Sequence, residues 1–506
     1  MESLDLLWQG FSVATTPRNL GFLIIGVVLG QIIGALPGIG PAAGMALLLP
    51  FTYGMEPVSG VIMLAGIMYG GMYGGTLTSV LVNVPGESSS LLTAIDGHQL
   101  ARKGRAGAAL SVAALGSFFA GIVSAVALVF IAPALSAFAL KFSSPEYFLL
   151  AALGITATAS LGGVSPVKAL LAATLGLMIS QVGVDPIVGL PRLTFGQPSL
   201  LEGVEFLPVA IGIFGIAEVL SSLERLDGMQ TIRTRLRDMW LTGQEWADSR
   251  LAILRGTVVG FVVGTMPGAG PTIASMMAYV VERKLSRKPE RFGHGAIDGV
   301  AASEAANNAA AQGALAPMLA LGIPGSSSTA VLLAALILFG IRPGPGLMTE
   351  QPDLVWGLMA SLFIGNLVLL VINLPLAPVF ASLLRVPYGY LAPGILAISL
   401  LGAWSSTQSM FPVVIALLFG IVGWLMMKLD IPRAPLVLAL VLAPLLETSL
   451  RQSLLLSLGS PMIFVERPIS AILLALFIAS LVWPLIVALR RRRAASLMTP
   501  STGTHR

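Results

Sequence analysis

Long apolar runs separated by short polar breaks occupy most of this chain. Nearly uninterrupted apolar stretches cover residues 20–36, 106–132, 146–161, 203–220, 353–384, 411–427 and 469–489. A helix needs roughly 20 apolar residues to cross the hydrocarbon core of a bilayer, so these runs predict membrane helices. They lack the polar face that a helix of a soluble core turns to water. They also lack the roughly ten-residue alternation of an outer-membrane barrel strand. The expected fold class is an all-α integral membrane protein of about a dozen membrane segments. Composition agrees: 56% of residues are hydrophobic and 10% charged, where a soluble domain carries about 25% charged.

Two interruptions of the apolar pattern occur twice, in the same order. Pro37-Gly38-Ile39-Gly40-Pro41 returns as Pro267-Gly268-Ala269-Gly270-Pro271, an offset of 230 (267 − 37). Asn83-Val84-Pro85-Gly86-Glu87-Ser88-Ser89-Ser90 returns as Gly322-Ile323-Pro324-Gly325-Ser326-Ser327-Ser328-Thr329, an offset of 239 (324 − 85). This order and spacing point to a tandem duplication: residues 1–223 form the first membrane repeat and 251–455 the second. A polar connector, 224–250, separates them, and 456–506 adds a last helix and a basic tail.

Lysine and arginine positions orient the repeats, because short cytoplasmic loops are enriched in them. The loop at 54–57 has no basic residue, whereas its counterpart holds Arg283, Lys284, Arg287, Lys288 and Arg291. The loop with Arg102, Lys103 and Arg105 faces a counterpart with only Arg342, beside Glu350 and Asp353. Equivalent loops therefore fall on opposite sides of the membrane, as in an inverted-topology repeat. The connector (Arg233, Arg235, Arg237) and the tail from Arg490 are expected to be cytoplasmic. Residues 251–282 would then enter and leave on one side as a helical hairpin with its tip at Pro267, Gly268 and Gly270. Residues 20–53 would form its partner from the other side, tipped at Pro37, Gly38 and Gly40; the alternative at each place is one kinked spanning helix.

Proline removes a helix donor and glycine allows a sharp change of direction. In lipid such a break is tolerated only where protein or a water-filled cavity satisfies the backbone. The helix starting after the break presents free N–H groups and a positive dipole end, which suit an anion. The candidate substrate site is therefore Asn83, Pro85, Gly86, Glu87, Ser88, Ser89 and Ser90 with Pro324, Gly325, Ser326, Ser327, Ser328 and Thr329. Serines at helix starts are often plain caps; two such turns at equivalent repeat positions favour a binding site.

The small-residue helix before the second break carries Glu304, Asn307 and Asn308 at three- and four-residue spacing, on one face. Buried polar groups of this kind also pack helices together. The corresponding stretch of the first half, 69–76, is rich in glycine and carries no carboxylate. No Lys or Arg lies in the segments 85–92 and 303–330. A charged anion bound there needs compensation, and a co-bound cation held by Asn83, Glu304, Asn307 and Asn308 is the simplest source.

Other chemistries fit poorly. With no cysteine, disulfides, thiolate metal sites and cysteine nucleophiles are excluded. The glycines at 38 and 40 follow an apolar helix instead of a strand, which argues against a dinucleotide fingerprint. Ser88 lacks the G-x-S-x-G elbow of a serine nucleophile, and the three histidines are too scattered for a metal site. The chain opens with Glu2 and Asp5, unlike the basic start of a signal peptide. No cofactor, enzymatic activity or nucleic-acid partner is expected.

The motifs Gly34-Ala35-Leu36-Pro37-Gly38-Ile39-Gly40-Pro41, Tyr69-Gly70-Gly71, Tyr73-Gly74-Gly75, Asn83-Val84-Pro85-Gly86-Glu87, Glu304-Ala305-Ala306-Asn307-Asn308 and Leu321-Gly322-Ile323-Pro324-Gly325-Ser326 resemble the large membrane subunit of the tripartite tricarboxylate transporters. The likeness runs from about residue 20 to the last spans; Gln312 departs from it, where a glycine is expected. The resemblance implies a multi-pass secondary transporter of the bacterial inner membrane with a cytoplasmic C-terminus. It implies import of a carboxylate such as citrate or a dicarboxylate, driven by Na+ or H+. The partners it implies are a periplasmic substrate-binding protein and a small four-helix membrane subunit. The alternative reading is an anion channel or a stand-alone organic-anion exporter.

Overall fold

The computed structural model describes residues 2–36, 38–161, 165–224, 232, 236–384, 386 and 388–482. Pro37, Arg233, Arg235 and the tail from Arg490 lie outside them. Among the described residues eight helices are long and apolar enough to cross a membrane, and four shorter apolar ones accompany them. The first half comprises α1 (Glu2–Ala14), α2 (Pro17–Gly34), α3 (Pro41–Leu48), α4 (Pro57–Val82), α5 (Leu91–Leu100), α6 (Ala106–Ala139), α7 (Ser144–Leu161), α8 (Pro166–Ile179), α9 (Phe206–Ala210) and α10 (Ala217–Leu223). A π-helical turn, Ile211–Ile216, joins the last two.

The second half follows with α11 (Gly243–Gly264), α12 (Gly270–Leu285), α13 (Ile297–Gly313), α14 (Leu315–Leu321), α15 (Ser327–Leu338), α16 (Leu347–Glu350), α17 (Pro352–Asn373), α18 (Ala377–Leu383), α19 (Tyr388–Thr407), α20 (Phe411–Lys428), α21 (Ala434–Leu456), α22 (Ile463–Glu466) and α23 (Pro468–Val482). One expectation needs correction: the apolar run 353–384 is two helices, because Pro375 and Pro378 interrupt the donor ladder between α17 and α18. Residues 243–250, the end of the polar connector, form the first turns of α11. Thr242 starts that helix early by accepting from the Glu245 N–H at 3.2 Å, while Glu245 accepts from the Thr242 N–H at 2.7 Å.

The two halves pack alike. In α2, Gly26, Gly30 and Gly34 lie so close to α4 that a β-carbon on any of them would sit 2.2–2.4 Å from a facing carbonyl, of Met63, Ile67 or Gly71. In α11, Gly256, Gly260 and Gly264 meet the carbonyls of Ala302, Ala306 and Ala310 of α13, each at 2.4 Å from the same built atom. These pairs obey the motif offsets, 230 for the first partner and 239 for the second. Such small-residue rows let apolar helices dock backbone to backbone, the favoured contact where burial in lipid offers no hydrophobic drive.

Each hairpin begins and ends at one end of the molecule. Arg18 at the start of α2 pairs with Glu56 just before α4 at 3.1 Å. Arg255 of α11 pairs with Glu282 of α12 at 2.9 Å. The basic loops are held to neighbouring segments: Lys103 donates to the His294 carbonyl at 2.6 Å, and Arg105 bonds Glu245 at 3.0 Å. Asp96 accepts the N–H groups of Gly293, Gly295 and Ala296 at 2.7–2.9 Å, tying α5 to that loop. Glu56, Gln351 and Asp353 instead line a common surface cavity of about 550 Å³.

A small hairpin between α8 and α9 pairs β1 (Gly183–Val184) with β2 (Pro191–Arg192). The N–H groups of Val188 and Ile187 hold the Asp185 carboxyl at a pKa of about 2, with help from Arg451 at 2.9 Å. Because that value is depressed from 3.8, the stabilisation is complete above about pH 4 and is lost as pH falls toward about 2. Asp185→Asn should therefore flatten the acid branch of the melting profile in detergent, and an unchanged branch would refute this.

Candidate functional site

The site is built where the breaks are. At the hairpin tips Gly38 and Gly268 take φ of +84° and +78°, a left-handed geometry that favours glycine. Helix α4 ends on Asn83 at φ 60°, and α14 ends on Gly322 at φ 70°, 239 residues on. Asparagine is among the few side-chain residues that accept this conformation readily. After each Pro-Gly turn the chain recoils into a helix start. The Glu87 N–H donates to Ser90 Oγ at 3.4 Å, and the equivalent Ser326 N–H to Thr329 Oγ1 at 2.9 Å.

Each tip lies against the hydroxyl turn of its own half. A β-carbon on Gly40 would meet the Glu87 side chain at 3.3 Å, and one on Gly270 the Ser326 side chain at 3.6 Å. The halves also cross over: Ser88 Oγ and Thr272 Oγ1 are 3.0 Å apart. The result is one cavity of about 170 Å³ between the repeats. It is lined by Gly38, Gly40 and Pro41 from one tip, Pro271 and Thr272 from the other, and Glu87, Ser88, Ser89, Ser326, Ser327 and Ser328 from the turns. The first turns of α3, α12 and α15, the Ser88–Ser90 turn that leads into α5, and Arg433 at the start of α21 all border it. Each helix start contributes about half a positive charge, set beside the carboxylates of Glu87 and Glu218 and the guanidinium of Arg433 in the same lining.

Several expected residues are placed elsewhere. Asn83 is exposed and serves as the α4 cap, outside the cavity lining. Pro85, Gly86, Ser90, Pro324, Gly325 and Thr329 shape the two turns from behind the lining. Gly86 and Gly325 are needed there, because a β-carbon on either would press into backbone, at 2.4 Å from Gly75 and 3.1 Å from Gly264.

The buried polar cluster lies behind the cavity and links the halves reciprocally. Glu304 is 1% exposed and accepts the hydroxyl of Thr76 at 2.8 Å and that of Thr93. Asn307 Nδ2 donates to Glu87 Oε1 at 3.2 Å, and Ser89 donates to the same oxygen. The Asn307 Oδ1, fully buried, has no partner. Asn308 differs: its amide donates to Ser117 Oγ at 2.7 Å and to the Glu304 carbonyl at 3.2 Å, a packing role. Among the described residues no cluster of three or more His, Cys, Asp or Glu could hold a metal.

The segments 85–92 and 303–330 carry no Lys or Arg, but Arg433 borders the cavity from the loop between α20 and α21, together with Glu218 and Phe214 of the α9–α10 segment. Arg433 lies outside the segments that carry the duplicated breaks. Glu218 did carry a signal, an ionisable residue at the edge of an apolar run. Thr272 directly follows the second tip motif.

A family model described as "Tripartite tricarboxylate transporter TctA family" matches residues 20–438. The chain is 45% identical, over 97% of its length and 98% of the relative, to an uncharacterized 52.8 kDa protein in the TAR-I ttuC' 3' region of Agrobacterium vitis. It is 43% identical over 224 residues to an uncharacterized protein in the TAR-II ttuC' 3' region of the same organism, covering 44% of this chain and 93% of that one. No solved structure matches the chain. The protein is thus a multi-pass membrane protein that belongs to the TctA family of the tripartite tricarboxylate transporters, a family of transporter components and not of enzymes.

Proposed function

We propose that this chain is the translocating subunit of a bacterial inner-membrane importer for a di- or tricarboxylate, coupled to a cation gradient. A periplasmic binding protein delivers the substrate, and a small membrane subunit completes the complex. The observation that carries this reading is the single cavity where both hairpin tips, both hydroxyl turns and several helix starts converge. Hydroxyls and helix N-termini are suited to carboxylate oxygens, and discontinuous helices meeting between two repeats are the architecture of many secondary transporters. Reconstituted with its two partners, the complex should accumulate labelled citrate or succinate against a gradient; absence of uptake for both would refute the reading.

The repeats are read as inverted. The path from Glu56 through α4 and α5 ends at Lys103, which bonds the loop preceding α13; the path through α13, α14 and α15 leads back to Gln351 and Asp353, beside Glu56. These contacts support opposite directions of travel, with the basic end cytoplasmic. The chain has no cysteine, so single introduced cysteines report cleanly. Lys103→Cys and Lys288→Cys should react with an impermeant thiol reagent only from the cytoplasm, and Glu56→Cys only from the periplasm. Labelling of 103 and 288 from different sides would overturn the inverted arrangement.

A further inference from the structure

We propose that Arg433 takes a carboxylate of the substrate, and that Glu218 occupies that position until the substrate arrives. The inference rests on the importer reading above and assigns its charge-recognition residue. Arg433 is the one basic residue among the described residues lining the cavity. Its Nη2 meets Glu218 Oε2 at 3.0 Å, and its Nη1 donates to the Ile213 carbonyl at 3.1 Å. The guanidinium carbon lies 5.8 Å from the centre of the Phe214 ring.

Ile213 belongs to the π-helical turn, and such turns, which alter the regular carbonyl ladder, are frequent at functional sites. The arginine is therefore aimed by a carbonyl, an aromatic face and a carboxylate, all from the α9–α10 segment. Its planar fork carries five N–H donors and matches a carboxylate in two-point geometry. The Glu218 carboxylate is chemically a stand-in for the ligand. An incoming di- or tricarboxylate exchanges for it at Arg433 while its remaining oxygens reach the hydroxyls and helix starts across the cavity.

Glu218 also touches a hairpin tip. A β-carbon on Gly38 would sit 2.2 Å from Glu218 Oε1, so the tip closes directly onto this carboxylate. Exchange at Arg433 moves the group on which the first tip rests. Substrate recognition and the position of a gate-like hairpin are coupled through one side chain.

The test is titration of the detergent-purified chain with citrate and succinate, read as the rise in melting temperature, alongside uptake by the reconstituted complex. Arg433→Gln should raise the half-saturating concentration about 10- to 100-fold, the range for a hydrogen bond to a charged group. Glu218→Gln should lower it, since a competing anion is removed. The double variant, in which neither charge is left unpaired, should keep the wild-type melting temperature and still bind as weakly as Arg433→Gln. Wild-type affinity in Arg433→Gln or in the double variant would overturn the proposal. Glu218→Gln weakening binding as much as Arg433→Gln would overturn it too, because the pair would then be a structural bridge. A wild-type complex that neither binds nor moves a carboxylate refutes the importer reading itself, a result distinct from either of these.

Discussion

Gly260→Ala and Gly30→Ala should each prevent recovery of a monodisperse protein, although the change is a single methyl group. At Gly260 the new β-carbon would lie 2.4 Å from the Ala306 carbonyl oxygen and 2.5 Å from its α-carbon; at Gly30 it would lie 2.4 Å from the Ile67 oxygen. These neighbours are backbone of a buried helix and cannot rotate away. Overpacking costs roughly 1–3 kcal/mol where side chains can adjust, and here the helices themselves must separate. Gly21, in the same helix as Gly30, has nothing within 4 Å of a built β-carbon. Gly21→Ala should be neutral or stabilising by up to about 1 kcal/mol, the helix-propensity difference. Size-exclusion profiles and melting temperatures of the three variants decide the matter: Gly260→Ala melting close to wild type would mean the two helices are not in backbone contact.

That contrast marks what could be read along the chain. The duplicated Pro-Gly breaks were visible as words, and the positions they named, Gly38, Gly268, Gly86 and Gly325, are those where backbone geometry admits little else. Ser88, Ser89, Ser326, Ser327 and Ser328 were legible for the same reason, since a hydroxyl run after a break marks a helix start. The glycines of α2 and α11 went unnoticed although they recur at the same offset, because a glycine row means close approach only once its partner helix is known. Arg433 was out of reach for a related reason, and Glu218, although an ionisable residue at the edge of an apolar run, gave no sign of its partner. They meet across 215 residues of chain, and neither lies near a repeated motif. Asn83 ends α4 as a left-handed cap outside the cavity lining, and the sequence alone does not separate such a cap from an ion ligand, because both draw on the same residue type.

The tertiary structure also gives the buried carboxylates different jobs. Glu304 is held by Thr76 and Thr93 behind the cavity, whereas Glu87 is on its wall. Glu304 takes both of its hydroxyl donors from the first half, and Glu87 is shared between Ser89 of its own half and Asn307 of the other, so the two halves are tied together at these acids.

The proposed cation coupling predicts that Asn307→Ala abolishes the dependence of uptake on an imposed sodium or proton gradient and lowers coupled flux about tenfold or more. Asn307 is 0% exposed, and its Oδ1 has no partner while its Nδ2 bonds the cavity carboxylate Glu87. A buried amide oxygen left unbonded costs about 1–3 kcal/mol, a cost that a hard cation removes by taking the oxygen as a ligand. Such an ion beside Glu87 would also offset the repulsion between that acid and an incoming carboxylate. Asn308 shares the helix face but spends its amide on Ser117 and the Glu304 carbonyl. Asn308→Ala should therefore destabilise the fold by about 1–3 kcal/mol, and the cation dependence of the protein that still folds should be unchanged. Measuring flux against each gradient together with melting temperature separates the two asparagines. Should the wild-type complex transport carboxylate with equal speed whether or not either gradient is present, the unbonded Asn307 oxygen has no coupling role, and the cavity is that of an anion channel.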